Sequence, residues 1–200
     1  MSEEQTPKHV TAILLEASGS ATASGSVEFR VVHRGPAILL QSLIIFGAKN
    51  DEGTVIQALG IPWRLIARMM KDDPNFLFTI DPWKMEELIA ASYKQNGFDV
   101  TLTPRSGDLG RDVIAEKKGF VSVRVVDQVK AYSPGHLVDA NDVRALLHVL
   151  SADRNATNGV VTTTSDFAPK IRDDPFIKPY MPDRLKLING IQLAQRIQDL

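Results

Sequence analysis

Apolar side chains recur at helical spacing in the middle of the chain. A first helical face comprises Leu65, Met69 and Met70. Two acidic residues and a proline at 72–74 predict that this helix stops there. A second helix is predicted to begin at Pro82, with Asp81 as its cap and Gly97 just beyond its end. The apolar face of the second helix comprises Met85, Leu88, Ile89 and Tyr93.

The stretch that follows the second helix has the composition and alternation of β-strands. Three strand-like segments are separated by the short loops 104–110 and 117–119. Loops of this length connect antiparallel neighbours, because a parallel crossover needs a dozen or more residues. The sequence therefore predicts an antiparallel meander of three strands.

The end of the chain alternates between helical and strand-like patterns. Residues 137–152 predict a helix with an apolar face of Val143, Leu146, Leu147 and Leu150. Residues 158–165 and 184–190 predict strands, and a last helix presents Ile191, Leu193, Ala194 and Ile197. This order predicts an α/β fold in which helices flank a mixed β-sheet.

The amino-terminal part of the chain is predicted to form a separate, smaller unit. Residues 9–16 and 26–33 are strand-like and are separated by small residues, which indicates a hairpin. The apolar run 36–49 is compatible with a buried helix or with a pair of strands. We expect a small α+β unit at 1–75 and a larger α/β domain at 76–200.

Composition narrows the class of protein. The chain has 200 residues, 44% of them hydrophobic and 24% charged, which suits a protein with a buried core. The absence of cysteine excludes disulfides, thiolate metal sites and cysteine nucleophiles. No stretch approaches the roughly 20 apolar residues that span a bilayer, and the polar first residues do not resemble a secretion signal. We expect a cytoplasmic protein without a membrane partner.

Net charge neither favours nor excludes an enzyme that acts on nucleic acid. The formal charge is −1 and the sequence pI is about 6.4, which argues against a protein that coats nucleic acid through a strongly basic surface. A nuclease needs acidic residues at its metal site and basic residues only where it meets phosphate. Local motifs are therefore more informative about function than overall charge.

Candidate catalytic residues lie at the ends of two predicted strands. Asp112 begins the second strand of the meander, and Gln128 and Lys130 lie two positions apart near the end of the third, hence on one face. If the two strands pair symmetrically about Lys118, Asp112 lies opposite Arg124. Sheet twist or a bulge is then needed to bring Asp112 to Gln128.

These residue types suit hydrolysis of a phosphodiester bond. Magnesium takes oxygen ligands and supports this chemistry by neutralising the phosphate and acidifying water. The predicted ligands are Asp112, the amide oxygen of Gln128 and the backbone carbonyl of Val129. Lys130 is predicted to orient the attacking water or to stabilise charge on the phosphate. A carboxylate of the preceding helix, Glu86 or Glu87, completes the predicted site.

Two blocks of the sequence resemble a known family. The block SGDLGRDVIAE at 106–116, followed by QVK at 128–130, is similar to the Mrr-type restriction endonuclease domain of the PD-(D/E)xK nuclease superfamily. The resemblance extends from about Asp72 to Leu200. It implies a restriction-endonuclease-like fold, DNA as the substrate, and Mg²⁺ as the cofactor, for which Mn²⁺ can substitute. Carried over to this chain, the metal and catalytic residues are Asp112, Gln128, Lys130 and, on the first helix, Glu86.

The chain departs from the family pattern at three positions. Arg111 and Leu109 replace residues that are usually small or apolar, and Asp127 adds a carboxylate before Gln128. None of the three removes a predicted catalytic residue. The loop residues expected to contact DNA are Arg105, Ser106 and Arg111.

The sequence leaves several functions open. The first expectation is a DNA endonuclease that acts on modified or foreign DNA. One alternative is a catalytically silent relative that binds nucleic acid, and another is a junction-resolving or repair nuclease subunit. A homodimer is also left open.

Overall fold

A single mixed β-sheet organises the fold in a computed structural model that describes residues 43–59, 63–104 and 110–199. The predicted hairpin between residues 9 and 33 lies outside the described residues. The strands are β1 (Ile44–Asn50), β2 (Gly53–Leu59), β3 (Asp99–Leu102), β4 (Val113–Lys117), β5 (Val123–Lys130), β6 (Asn158–Thr163) and β7 (Leu185–Ile188). They lie side by side in sequence order. β1 to β5 are antiparallel and β5, β6 and β7 are parallel, which confirms the predicted mixed sheet.

Four α-helices flank the sheet. They are α1 (Trp63–Asp72), α2 (Pro82–Gln95), α3 (Ala140–Ala152) and α4 (Gly190–Gln198). Short 3-10 helices span Pro74–Thr79, Ile171–Asp173 and Lys178–Tyr180. The predicted cap of α2 is confirmed, because the Asp81 carboxylate accepts a hydrogen bond from the Trp83 backbone at 3.0 Å. Gly97 follows this helix with a φ of 77°, a conformation that favours glycine.

Two hydrophobic cores lie on opposite faces of the sheet. The first joins α1, α2 and α4 to one face and includes Ile66, Met85, Leu88, Ile89, Val100, Val113, Val125, Leu193 and Ile197. The second joins α3 to the other face and includes Val126, Val143, Leu146, Leu147, Leu150, Val161, Leu185 and Leu187. The four apolar residues predicted for α3 are all buried. The prediction for α4 was wrong at Ile191, which is 78% exposed because it points away from the sheet.

Part of the predicted amino-terminal unit belongs to the sheet domain. β1 and β2 form a hairpin whose second strand pairs with β3, and α1 packs against α4. Residues 44–72 therefore extend the same sheet and core as the residues that follow. Whether residues 76–200 fold without them stays a prediction.

No helix among the described residues is long and apolar enough to cross a membrane.

Candidate active site

The pairing of β4 with β5 determines which residues meet at the end of the sheet. Val113 lies opposite Asp127, and Lys117 lies opposite Val123. The predicted register was wrong, because the strands are joined by the five residues 118–122 instead of a three-residue turn. One position beyond Val113, Asp112 falls beside Gln128 instead of Arg124. No bulge is needed to bring Asp112 to Gln128.

The Asp112 carboxylate is fixed against the backbone of β5. Its Oδ2 accepts a hydrogen bond from the Val129 backbone N–H at 2.6 Å. The backbone of Asp112 donates to the Asp127 carbonyl at 3.1 Å and accepts from the Thr103 N–H at 3.1 Å. Since the N–H and the C=O of one residue point to the same side of a strand, the Val129 carbonyl also lies on the Asp112 side of β5. The structure thus brings together two of the predicted oxygen ligands.

Gln128 contributes a buried amide oxygen to this end of the sheet. Its side chain is buried, and Oε1 has no hydrogen-bond partner among the described residues. Gly110 lies beside it: a Cβ added there would be 3.6 Å from the Gln128 amide nitrogen and 3.5 Å from a Val149 methyl group. Gly110 has a φ of 76°, so a side chain there would also be strained. Gly110, two positions before Asp112, therefore lies close against Gln128.

Lys130 lies on the same face as Gln128, as its two-residue spacing predicted. Its ammonium is 3.2 Å from the Asp142 carboxylate at the start of α3. The Tyr132 hydroxyl lies 3.3 and 3.4 Å from the two Asp142 oxygens. Neither Asp142 nor Tyr132 is among the residues predicted from the sequence. The sequence carries a signal for Tyr132, which continues the two-residue spacing of Gln128 and Lys130. It carries none for Asp142, because nine residues, 131–139, join β5 to α3.

The helix carboxylates come from the opposite layer. Glu86 is half-buried on α2, whose core residues contact the other face of the sheet. Because α2 turns back tightly into β3, its first turns lie toward the end of the sheet that carries Asp112. Glu87 forms an ion pair with Lys84 at 2.7 Å. The role of Glu86 as a ligand, which the family resemblance implies, stays a prediction.

Arg111 lies within a cluster of charged side chains. Its guanidinium is 3.9 Å from Glu52 and 4.0 Å from Asp153. Both carboxylates also contact Arg124, which pairs in addition with Glu116 at 2.5 Å. A DNA phosphate would compete with these carboxylates for Arg111, so its predicted contact with DNA stays a prediction. Arg105 and Ser106, in the same loop, lie outside the described residues.

Asp127 is buried on the face of the sheet away from Gln128. Its Oδ2 accepts hydrogen bonds from the Tyr93 hydroxyl at 2.9 Å and the Thr162 hydroxyl at 3.0 Å, while Oδ1 has no partner among the described residues. Burial raises the pKa of Asp127 to about 7, although the two hydrogen bonds and the charge of Arg196 oppose this shift. The Arg196 guanidinium lies 4.4 Å from the centroid of the Tyr93 ring. Asp127 therefore connects β5 to α2 through Tyr93 and to β6 through Thr162.

The donor atoms suit a hard divalent cation. Asp112, Gln128 and Val129 offer carboxylate, amide and carbonyl oxygens, the ligand types that magnesium prefers. The buried Gln128 oxygen without a partner is an independent sign, because buried polar atoms are seldom left unsatisfied. Within the described part of the chain, no three His, Asp or Glu side chains lie together as a group that could hold a metal ion. The predicted ligand set has only two carboxylates, so it relies on amide and backbone oxygens.

The mixed sheet, the flanking helices and the residues at the end of β4 and β5 define a restriction-endonuclease-like nuclease domain. Residues 77–197 match the model of the Mrr catalytic domain family, described as restriction endonuclease. The match covers more than half of the chain, and the protein belongs to this family. A comparison with curated proteins finds no match.

Solved structures with similar folds share little sequence with the chain. The MspJI restriction endonuclease in complex with a 27-mer oligonucleotide is 19% identical over 68% of this chain and 30% of its own, with a TM-score of 0.44. The DNA modification-dependent restriction endonuclease AspBHI is 15% identical over 100% of this chain and 46% of its own, with a TM-score of 0.46. AF1548, a protein of unknown function, is 14% identical over 57% of this chain and 65% of its own, with a TM-score of 0.41. The chain thus spans less than half the length of the first two.

Proposed function

We propose that this protein is a magnesium-dependent endonuclease that hydrolyses phosphodiester bonds in DNA. The observation that carries the proposal is the hydrogen bond of 2.6 Å between Asp112 and the Val129 backbone. The carboxylate lies on the side of β5 that carries the Val129 carbonyl, one residue from an amide oxygen that has no partner among the residues described. A core residue seldom needs this arrangement, whereas a cation site does.

Each residue of the site has a distinct role in the proposal. Asp112, the Gln128 amide and the Val129 carbonyl hold the cation, and Glu86 is the additional carboxylate from α2. Bound Mg²⁺ or Mn²⁺ would supply positive charge at the phosphate and lower the pKa of a water molecule. Lys130 lies on the same face as Gln128, where its ammonium can orient that water and stabilise charge that develops on the phosphate.

Membership of the restriction endonuclease family supports DNA as the substrate. We further propose that the enzyme acts on foreign or modified DNA. The region before residue 76 would then recognise DNA, bind a partner or support a homodimer. A net charge of −1 means that DNA contact depends on a local group of basic residues, for which Arg105, Ser106 and Arg111 are the proposed contacts.

Plasmid cleavage tests the proposal directly. The full chain is incubated with methylated and with unmethylated supercoiled plasmid, in the presence of magnesium, of manganese or of a chelator. We expect nicked or linear products that need the metal and that are absent with Lys130→Ala. Metal-dependent binding of an oligonucleotide without cleavage would instead identify a catalytically silent relative. Cleavage restricted to branched DNA would favour a junction-resolving or repair nuclease.

A further inference from the structure

Lys130 is held by a carboxylate that the proposed reaction does not otherwise use. Its ammonium lies 3.2 Å from Asp142, and the exposed fractions of the two side chains are only 21% and 23%. The same carboxylate accepts hydrogen bonds from the Tyr132 hydroxyl at 3.3 Å and from the Asp139 backbone N–H at 3.2 Å. Three donors therefore converge on Asp142, two from the end of β5 and one from the residue that caps α3.

The elements that carry Lys130 and Asp142 are themselves fixed. Asp139 caps α3 by accepting from the backbone N–H groups of Asn141 and Asp142 at 2.7 and 2.9 Å. The Thr163 hydroxyl donates to the Lys130 carbonyl at 2.8 Å, which fixes the end of β5. The position of the Asp142 carboxylate relative to the Lys130 backbone is thus determined by the fold.

A lysine at a reacting phosphate needs such a restraint. Its four-carbon stem is flexible, so an unrestrained ammonium samples many positions. A displacement of about 1 Å in a reacting arrangement can cost roughly a hundredfold in rate. Asp142 limits the ammonium to one region on the face that carries Gln128.

We propose that Asp142 is a positioning residue that holds the Lys130 ammonium for the reaction at the phosphate. The proposal rests on the proposed nuclease function and adds a residue from α3 to the site. In this role Asp142 acts through Lys130, which its carboxylate contacts. Tyr132 supports the carboxylate through its hydroxyl.

Two other roles for Asp142 predict different effects of substitution at this position. A pure capping role for α3 would make stability, not turnover, depend on Asp142. A restraint that keeps Lys130 away from the phosphate would make the enzyme faster when Asp142 loses its charge. The experiment must therefore separate the effect of the Asp142 charge from the effect of its capping hydrogen bond.

Substitutions at Asp142 separate these roles. Asp142→Asn keeps an oxygen for the cap but loses the charge that attracts Lys130. Asp142→Glu and Asp142→Gln form a second pair, because both residues suit this position of a capping box and differ only in charge. Asp139→Asn is the matched control: it removes a carboxylate from the same helix end, keeps a good cap, and leaves the contact to Lys130 intact.

The experiment measures kcat and KM for plasmid cleavage, manganese affinity by calorimetry and thermal stability for each full-length variant. We expect Asp142→Asn to lower kcat by about 10- to 100-fold, with no rise in KM for DNA and no change in metal affinity. Asp142→Glu should retain more activity than Asp142→Gln at similar stability. Asp139→Asn should keep kcat within about twofold of the parent because its cap is preserved.

Several outcomes would overturn the proposal. An unchanged or higher kcat for Asp142→Asn would show that Asp142 does not position Lys130 productively. If Asp142→Asn fails to fold, the Asp142→Glu and Asp142→Gln variants provide the test instead. Equal activities of these two variants would rule out the positioning role. A parent protein that never cleaves DNA would refute the proposed nuclease function itself, and the role of Asp142 with it.

Discussion

The side chains of Asp127 and Gln128 leave adjacent positions of β5 on opposite faces of the sheet. Asp127 contacts Tyr93 and Thr162 in the interior, whereas Gln128 lies beside Gly110, next to Asp112. The extra carboxylate before Gln128 is therefore not an additional metal ligand. It lies in a separate, buried polar cluster behind the proposed site.

Stability should depend on pH through Asp127. Burial raises its pKa from 3.8 to about 7, so the folded chain binds this proton more tightly than the unfolded chain. The contribution of Asp127 to stability is then full below about pH 4 and is lost as the pH rises through about 7. Relative to the parent, Asp127→Asn should gain stability between about pH 5 and pH 8.5, on the order of a few kcal/mol.

Denaturant unfolding in the presence of a chelator, at several pH values, measures this difference. The quantity to compare is the difference in unfolding free energy between variant and parent at each pH. Its change with pH is independent of any constant cost of placing an amide in the buried cluster. A stability difference between the two proteins that stays constant with pH would show that Asp127 does not titrate with a raised pKa.

Asp112→Asn should lose metal affinity and keep the fold. The amide oxygen can still accept from the Val129 backbone, but the negative charge that attracts the cation is gone. Loss of a residue that supports a metal ligand commonly lowers metal affinity by roughly 10- to 100-fold. We expect the manganese affinity of Asp112→Asn to fall by at least this much. Calorimetry measures the affinity, and Asp183→Asn, an exposed residue, is the control. Unchanged affinity would remove Asp112 from the ligand set.

Lys130→Ala should separate metal binding from cleavage. The substitution removes the ammonium but leaves every proposed oxygen ligand in place, so manganese should bind as in the parent. Cleavage should fall by about 10²- to 10³-fold, the usual cost of losing one electrostatic contact at a reacting centre. Parallel calorimetry and plasmid assays test both parts, with Lys186→Ala as the surface control. A variant that cuts DNA as fast as the parent would contradict the assignment of Lys130.

Arg124→Met should destabilise the fold without touching the proposed ligands. Arg124 is 9% exposed and contacts three carboxylates, from Glu52, Glu116 and Asp153. Methionine fills similar space but leaves these carboxylates without their shared partner. We expect a loss of about 1–3 kcal/mol in the free energy of unfolding, measured by denaturant titration. The neighbouring exposed Arg154→Met should cost little, and equal effects of both variants would refute a stabilising role for the cluster.

Local patterns predicted the helices and strands from α1 onward. Apolar periodicity and the Asp81 cap identified α2, and alternation placed Gln128 and Lys130 on one face. These features depend on neighbours in sequence, so sequence can reveal them. β2 was missed, although the turn before it carries a signal: the Asn50 side chain accepts from the backbone N–H groups of Glu52 and Gly53.

Relations between distant segments could not be derived in the same way. The register of β4 and β5 depends on where the strands end, and the tight turn suggested by Gly119 gave the wrong centre. Glu52 is 72 positions from Arg124 in sequence, and no local pattern connects them. The contact of Lys130 with Asp142 likewise follows from the packing of α3 on the sheet.

The turn 118–122 contains no residue of the proposed site, yet its length decides the chemistry at the other end of the hairpin. Opposed residues of an antiparallel pair share a face, and neighbours along a strand alternate. If one turn residue were deleted and a five-residue turn formed again, the pairing would slip by one. Val129 would then replace Gln128 opposite Asp112, and Lys130 would move to the other face. Surface loops usually tolerate insertions and deletions during evolution. In this hairpin, a frame-preserving deletion of a single codon would instead separate the residues of the proposed site.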